Sequence, residues 1–460
     1  MDYRDYFKGK KVTVMGLGLL GRGIGVIKFL ADCGVDILVT DLKTRKQLAP
    51  ALKQLSKYKN IKYVLGEHRL EDFQNKNLII RAPNAPLDSP YLAEAKKNNI
   101  EIEQDASLFV KLVPASVKIV GITGTRGKST VTHLLYKILQ SALRRGSGQK
   151  NRKVFLGGNV RGVATLPLLK KIKAGDIVVL ELDSWQLQSF GDNKLSPHLA
   201  IFTTFMVDHL NYYAGDMKRY WADKVNNFKY QKRGDTLILG NQVKKQKSKV
   251  KIKSKLIIPK AKLPTGWQLK IPGVHNEYNA MLAVVAAREL GVKDQVIKKV
   301  LVDFKGLPGR LELIKEVKGV KYYNDTTATT PDAVMAAVHT LSKGESFKQS
   351  PRTHLGKIIL IGGGTDKGLD FKRYAQIVPK YLKGLVLFKG TATDKILAVL
   401  PKKLKFPVTV VESMKEALRQ AEDLATRGDL VLLSPGAASF GIFRNEFDRG
   451  GQFNNLVKKI

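Results

Sequence analysis

The sequence predicts an α/β protein made of three successive segments, each an alternation of strands and helices around a mainly parallel sheet. Three observations carry this expectation. The 460 residues leave room for about three domains at roughly 100 to 200 residues each. Hydrophobic residues make up 43% and charged residues 26%, a globular mixture too apolar for disorder. Short apolar runs recur along the whole chain, many closing on Gly, Asp, Thr or Asn, with amphipathic or Ala/Leu-rich stretches between them.

In the first segment KVTVMGLG, DILVTDL, IKYVLGEH and NLIIRAPN read as strands. The second begins near Pro114, with VKIVGITGT, KVFLGGN, DIVVLELD and LAIFTTF. The third follows GLPGRLE and holds KYYND, KIILIGGG, GLVLFKG, VTVVE and LVLLSPGAAS. Boundaries near Leu112 and Phe304 give domains over 1–112, 113–304 and 305–460. The longest apolar runs, such as Ile177–Leu180 and Ile358–Ile361, fall far below the roughly 18 residues of a membrane helix. The opening MDYRDYFKGKK lacks the apolar core of a secretory signal, and the lone Cys33 excludes an internal disulfide framework. A cytoplasmic location is therefore expected, with no membrane insertion.

Charge is the unusual quantity, because 79 Lys and Arg against 40 Asp and Glu give a formal +39. The densest cluster, Gln242 to Lys255, has no interleaved aromatics on which bases could stack. Such charge acts as a non-specific field that concentrates anionic substrates. Nucleic acid is not expected as the main partner.

The strongest motif is Gly121-Ile-Thr-Gly124-Thr125-Arg-Gly127-Lys128-Ser129-Thr130, between the strand VKIV and the helical HLLYKILQ. A Gly-rich turn from strand into helix lets backbone N–H groups approach phosphate, Lys128 adds a point charge, and Ser129 would hold magnesium. The strict Walker pattern requires Gly where Ile122 stands, so this is a variant phosphate loop. A second turn, Gly16-Leu-Gly18-Leu-Leu-Gly21, follows KVTVM, and Asp41 ends the next strand about 20 residues on, matching the dinucleotide fingerprint. Taken alone it says NAD-dependent dehydrogenase. A second nucleotide loop in the next segment argues against simple hydride transfer, and the same turn can receive any pyrophosphate, including that of a UDP-sugar. Glu181 in ELDSWQLQ, His209 in TTFMVDHLNYY and Lys224 in YWADKVNNF are candidate metal ligands. A carboxylate and an imidazole at strand ends suit magnesium and phosphoryl transfer, although each residue type is more often structural.

These motifs, with LGGN (Leu156–Asn159), VDHL, GVHNEYN, NDTTATTPDA, GGGTDKG and SPGAASFGIFRNEFDRGGQF, resemble the Mur ligases across nearly the whole chain. Within that family the chain is most similar to the members that add D-glutamate to UDP-N-acetylmuramoyl-L-alanine. The resemblance implies an ATP-dependent acid–amino-acid ligase of peptidoglycan precursor synthesis, working through an acyl phosphate. It implies a Rossmann-like N-terminal domain, a central P-loop ATPase-like domain with a parallel or mixed sheet, and a Rossmann-like C-terminal domain.

By the same resemblance, Gly18, Leu19, Leu20, Asp41 and Asn159 would meet the UDP-substrate. ATP would meet Gly124, Thr125, Gly127, Lys128, Ser129 and Thr130, with Asn276 and Asn279 on the adenine side and Arg310 and Asp325 at phosphate and ribose. Two Mg2+ ions are implied, one on Ser129 and Glu181 and one on His209, assisted by Lys224 as a carbamate. Lys128, Glu181, His209 and Lys224 are thus the expected catalytic set, and Thr329, Lys367 and Ser439 would hold D-glutamate. A monomer is expected. Several positions depart from the familiar pattern: Arg126 for Asn, Thr327 for Lys, Asp183 and Ala82 for Ser, and Glu446 for an aromatic residue. Two other readings stay open here, a related ligase adding a different amino acid and a basic nucleotide-binding protein associated with nucleic acid.

Overall fold

The structure is a computed structural model that describes residues 2–19, 21–86, 88–144, 152–244, 250–260, 262–342 and 357–460. Its contacts group into two compact units, Met1–Gln268 with Glu277–Val302, and Leu269–Asn276 with Asp303–Ile460. Among the described residues no helix is long and apolar enough to cross a membrane.

The first unit holds two sheets. One is formed by β1 (Lys11–Met15), β2 (Asp36–Asp41), β3 (Ile61–Leu65), β4 (Leu78–Arg81) and β5 (Glu101–Glu103), in the order β3-β2-β1-β4-β5 and parallel throughout. Strand order reverses beside β1, and the Gly16–Gly21 turn leaves the carboxyl end of that strand, the place where open sheets of this kind bind ligands. The other sheet comprises β6 (Lys118–Thr123), β7 (Val154–Gly158), β8 (Ile177–Glu181), β9 (Leu199–Phe202), β10 (Thr236–Leu239) and β11 (Lys255–Ile257), ordered β11-β10-β9-β6-β8-β7. It too is parallel at every pairing. Every residue of β8 and β9 is buried, which is why Ile177–Leu180 and Leu199–Phe202 read as unbroken apolar runs, with buried Glu181 closing β8.

The two sheets share one hydrophobic core, in which Val14, Ile27 and Leu30 join Phe109, Ile119, Val178 and Leu180. Buried polar contacts cross the same junction. Asp105 accepts from the N–H groups of Thr165 (2.8 Å) and Leu166 (2.7 Å), and Gln104 donates its amide to Trp185 O (2.9 Å). Burial raises the Asp105 carboxyl, and the two N–H donors oppose that rise.

The second unit holds β12 (Glu312–Val317), β13 (Val320–Asn324), β14 (Ile358–Gly363), β15 (Leu382–Phe388), β16 (Val408–Val411) and β17 (Leu430–Leu433), ordered β12-β13-β17-β14-β15-β16. Here the sheet is mixed, because β12 and β13 form an antiparallel hairpin while the other pairings are parallel. The hairpin turn is Lys318-Gly319, both with positive φ (50° and 78°), the conformation of a tight two-residue turn. β12 alternates only partly, and β5, β10 and β11 span three or four residues, so the sequence carries little mark of these strands. The central sheet, for which a parallel or mixed arrangement is expected, is parallel. The antiparallel strand lies instead in the C-terminal sheet.

Candidate functional site

The phosphate loop follows β6, between its neighbours β8 and β9. Its backbone is laced to the loop after β9: Thr125 N–H donates to Thr204 O (2.7 Å), Arg126 N–H to Thr204 Oγ1 (2.8 Å), and Met206 N–H to Thr125 Oγ1 (3.0 Å). Two glycines are required by this approach. A Cβ at Gly124 (φ +140°) would meet Thr203 Oγ1 at 2.0 Å, and one at Gly127 (φ +87°) would meet Asn279 Oδ1 at 2.3 Å. Thr125 and Thr130 are buried, while Lys128 and Ser129 open the helix Lys128–Arg144.

Lys128 folds back over its own loop, donating to Gly124 O (2.9 Å) and Thr125 O (3.2 Å). Lys224 reaches the same carbonyl from the helix Met217–Val225, with Nζ 3.0 Å from Gly124 O and 3.4 Å from Thr123 Oγ1. Two amines therefore converge on one oxygen. Burial holds the Lys224 amine well below its ordinary range, and the charge of Lys128 adds to that depression against Asp183, Asp208 and Asp223. Lys128 is lowered as well, first by burial, with Glu181 opposing and Arg126 adding.

At the end of β8, Glu181 accepts from the Ser129 hydroxyl at 3.0 Å. His209 stands in a left-handed conformation (φ 55°), its ring 4.8 Å from that of Trp185 and its Nε2 3.9 Å from Asp208 Oδ2. Burial pushes its imidazole down to about 4, against the pull of Asp208, so the ring is neutral with a lone pair near pH 7. Among the described residues no three His, Cys, Asp or Glu side chains gather to hold a metal by themselves. Magnesium that draws most of its oxygens from phosphate and water needs only one or two protein carboxylates, and the Ser129–Glu181 pair beside a phosphate loop fits that chemistry. Asp183, one of the departures, caps the helix Ser184–Asp192 by accepting from Gln186 N–H at 2.7 Å. Arg126, another, lies 3.4 Å from Asp208, a pairing that the sequence did not signal.

In the first sheet Asp41 is 5% exposed, and its carboxylate faces backbone amides rather than open space. Oδ2 accepts from Leu17 N–H (2.9 Å) and Gly18 N–H (3.0 Å), and Oδ1 from Lys43 N–H (2.9 Å). Leu19 is exposed, and Leu20 lies outside the described residues. Asn159, after β7, donates its N–H to Glu181 O (2.6 Å), which sets it beside the metal-binding candidates. Asn279 borders the phosphate loop at Gly127.

In the second unit Asn276 donates its amide to Pro272 O at 2.7 Å. Thr329, Ser439 and Lys367 follow the adjacent strands β13, β17 and β14, and Lys367 Nζ donates to Thr329 Oγ1 at 3.0 Å. Asp325 accepts from Leu311 N–H (3.1 Å) and the Ser434 hydroxyl (2.9 Å), and burial raises its carboxyl to about 7, with exposed Arg310 among the groups opposing. Outside the expected set stands Arg449, fully buried in the helix Glu446–Val457. It donates to Thr326 Oγ1 (3.1 Å), Thr326 O (2.9 Å) and Ala437 O (3.3 Å), tying the loop that bears Thr329 to the loop that bears Ser439. Its only signal was an Arg next to two glycines in DRGGQF.

Residues 10–104 match the family described as Mur ligase MurD-like, N-terminal domain; residues 122–263 match the Mur ligase middle domain, and residues 309–436 the Mur ligase, glutamate ligase domain. The UDP-N-acetylmuramoylalanine–D-glutamate ligase of Borreliella afzelii is 35% identical over 477 residues, 99% of this chain and 99% of that protein. The protein of the same name from Roseiflexus sp. is 34% identical over 489 residues, 98% of this chain and 99% of that one. Among solved structures, UDP-N-acetylmuramate-alanine ligase MurC from Thermotoga maritima shares the fold with a TM-score of 0.61 at 17% identity, covering 98% of this chain and 99% of that one. The MurF ligase of the same organism, solved in complex with ADP, gives 0.55 at 16% identity over 85% of this chain and 97% of its own.

Proposed function

The chain belongs to the Mur ligase family and is an ATP-dependent ligase that adds D-glutamate to UDP-N-acetylmuramoyl-L-alanine, and we propose that it does so through an acyl phosphate made at the Gly124–Thr130 loop. The observation that supports this placement is the convergence of Lys128, Lys224, Ser129 and Glu181 at the carboxyl ends of β6 and β8. An alanyl carboxylate oxygen attacks the γ-phosphorus of ATP, and ADP leaves. The amine of D-glutamate then attacks the acyl carbon, phosphate departs with the bonding pair, and the amine's surplus proton passes to solvent or a basic group. Lys128 would meet charge on the transferring oxygens, which is where electrostatic stabilisation counts most.

Magnesium, when bound, would neutralise charge on the phosphate oxygens. Ser129 and Glu181 would hold one ion and neutral His209 the second. The depressed Lys224 amine is the nucleophilic form that carbon dioxide requires, so Lys224 would carry a carbamate whose negative charge Lys128 offsets. Gly18, Leu19, Leu20, Asp41 and Asn159 are proposed for the UDP-substrate, Asn276, Asn279, Arg310 and Asp325 for the nucleotide, and Thr329, Lys367 and Ser439 for D-glutamate. The enzyme is proposed to work as a cytoplasmic monomer, with domains over 1–112, 113–304 and 305–460.

The test is a competition. ATP, magnesium and UDP-N-acetylmuramoyl-L-alanine are supplied with an equimolar mixture of D-glutamate, L-glutamate and other amino acids, and products are weighed by mass spectrometry and resolved by chirality. A single D-glutamyl product is expected. Incorporation of another amino acid in its place would reject the substrate assignment.

A further inference from the structure

One side chain outside the expected set joins the glycine turn of the first sheet to the second. Arg22 opens the helix Arg22–Asp32 directly after Gly21, and its Nη2 donates to Asn159 Oδ1 at 2.8 Å. The helix is seated closely at this point, since a Cβ at Gly25 would meet Ala164 Cβ at 2.6 Å. The charge of Arg22 also acts on buried Asp105, whose carboxylate holds the N–H groups of Thr165 and Leu166. On its other side Asn159 donates its N–H to Glu181 O at 2.6 Å. Arg22 thus stands at the head of a chain of contacts leading from the glycine turn to the carboxylate that accepts from Ser129.

The chemistry of the contact fixes more than position. An asparagine amide has a donor end and an acceptor end that only its partners distinguish. A guanidinium carries donors and no acceptor, so Arg22 commits the Asn159 oxygen and leaves the NH2 as the end that can face a ligand. Both inner amides of the glycine turn, Leu17 and Gly18, already donate to Asp41. An anion arriving at this turn therefore relies on the helix N-terminus and on donors around it.

We propose that Arg22 is a positioning residue for the UDP-linked substrate: it orients the Asn159 amide so that its NH2 faces an acceptor oxygen of that substrate. The proposal rests on the reading that the enzyme uses such a substrate and that Asn159 touches it.

Steady-state kinetics on full-length enzyme test it through Arg22→Met, Asn159→Ala and the double variant. Loss of a hydrogen bond to a charged group predicts a rise in KM for the UDP-substrate of about tenfold in Arg22→Met, with KM for ATP within about twofold of wild type. The double variant should be no worse than Asn159→Ala alone. Arg22→Lys should recover part of the loss, because one donor remains. Asn159→Asp keeps an acceptor for Arg22 but presents oxygen at both ends, so its KM should be as high as that of Asn159→Ala.

An unchanged KM in Arg22→Met, additive losses in the double variant, or a near wild-type Asn159→Asp would each overturn the proposal. Should Arg22→Met fail to fold in a thermal melt, Arg22→Lys and Asn159→Asp still decide, since both preserve a partner at the contact. If wild-type enzyme shows no turnover that requires the UDP-substrate, the functional reading itself fails, before any variant is compared.

Discussion

After β1 the Gly16–Gly21 turn folds around a carboxylate, with Asp41 accepting from Leu17 and Gly18. After β6 the Gly124–Gly127 turn folds around two amines, with Lys128 and Lys224 both donating to Gly124 O. Each is a glycine-rich passage from strand to helix at the carboxyl end of a parallel strand, and as sequence patterns they look alike. Filled with its own negative charge, the first can offer an anion little beyond its helix N-terminus and neighbouring donors such as Asn159. The second presents the amine donors of Lys128 and Lys224 with the carboxylate of Glu181 beside them, which suits a triphosphate with magnesium. The glycines supply the bend, and the side chains inserted into the bend decide the ligand.

The largest effect that could break this contrast is at Lys128. Lys128→Ala should lower kcat for ATP-dependent phosphate release by about a hundredfold to a thousandfold, the range for removing one stabilising donor at a transferring group. Phosphate release at the wild-type rate would show that the loop is not the phosphoryl site. Next comes Lys224→Ala, expected to lose most activity and regain part of it with millimolar formate or acetate. A variant indifferent to added carboxylates and active without them would remove the carbamate.

A smaller effect is expected in the other turn. Asp41→Asn keeps the shape but removes the charge, and should cost about 1 to 3 kcal/mol of stability by denaturant titration. It should also raise KM for the UDP-substrate while leaving KM for ATP unchanged, and a rise in KM for ATP would undo the division of labour between the turns.

The smallest effect lies outside both turns. Asp325 keeps its proton to about pH 7 in the folded chain, against 3.8 ordinarily. The folded state is the more protonated between those values, so the stability this group contributes is present at low pH and is lost as pH rises through the window. Asp325→Asn should flatten that slope in denaturant titrations across the same range. An unchanged slope would mean that Asp325 ionises normally.

Much of the fold was legible because phosphate loops and buried parallel strands leave linear marks. The β6 loop needs its glycines, lysine and serine in fixed order, and β8 and β9 are buried throughout and apolar except at Glu181, which closes β8. Edge strands leave weaker marks: β12 alternates only partly and is announced mainly by the Lys318-Gly319 turn. The shared core of the first two sheets was not legible, since Phe109 and Val178 meet only through tertiary packing. Asp41 stood out as a residue, yet its hold on the turn was not legible, because its partners Leu17, Gly18 and Lys43 are backbone amides brought close by the turn. Arg449 was hidden by composition, as one more cation in a chain with 79 Lys and Arg.

The most direct test of the central claim, that the γ-phosphate activates the alanyl carboxylate, follows an oxygen. UDP-N-acetylmuramoyl-L-alanine is prepared with its carboxylate labelled with heavy oxygen, and the inorganic phosphate released during ligation is analysed by mass spectrometry. The account predicts one labelled oxygen in each phosphate, carried over when the acyl phosphate collapses onto D-glutamate. Phosphate free of label, with the heavy oxygen lost to AMP or to water, would contradict it.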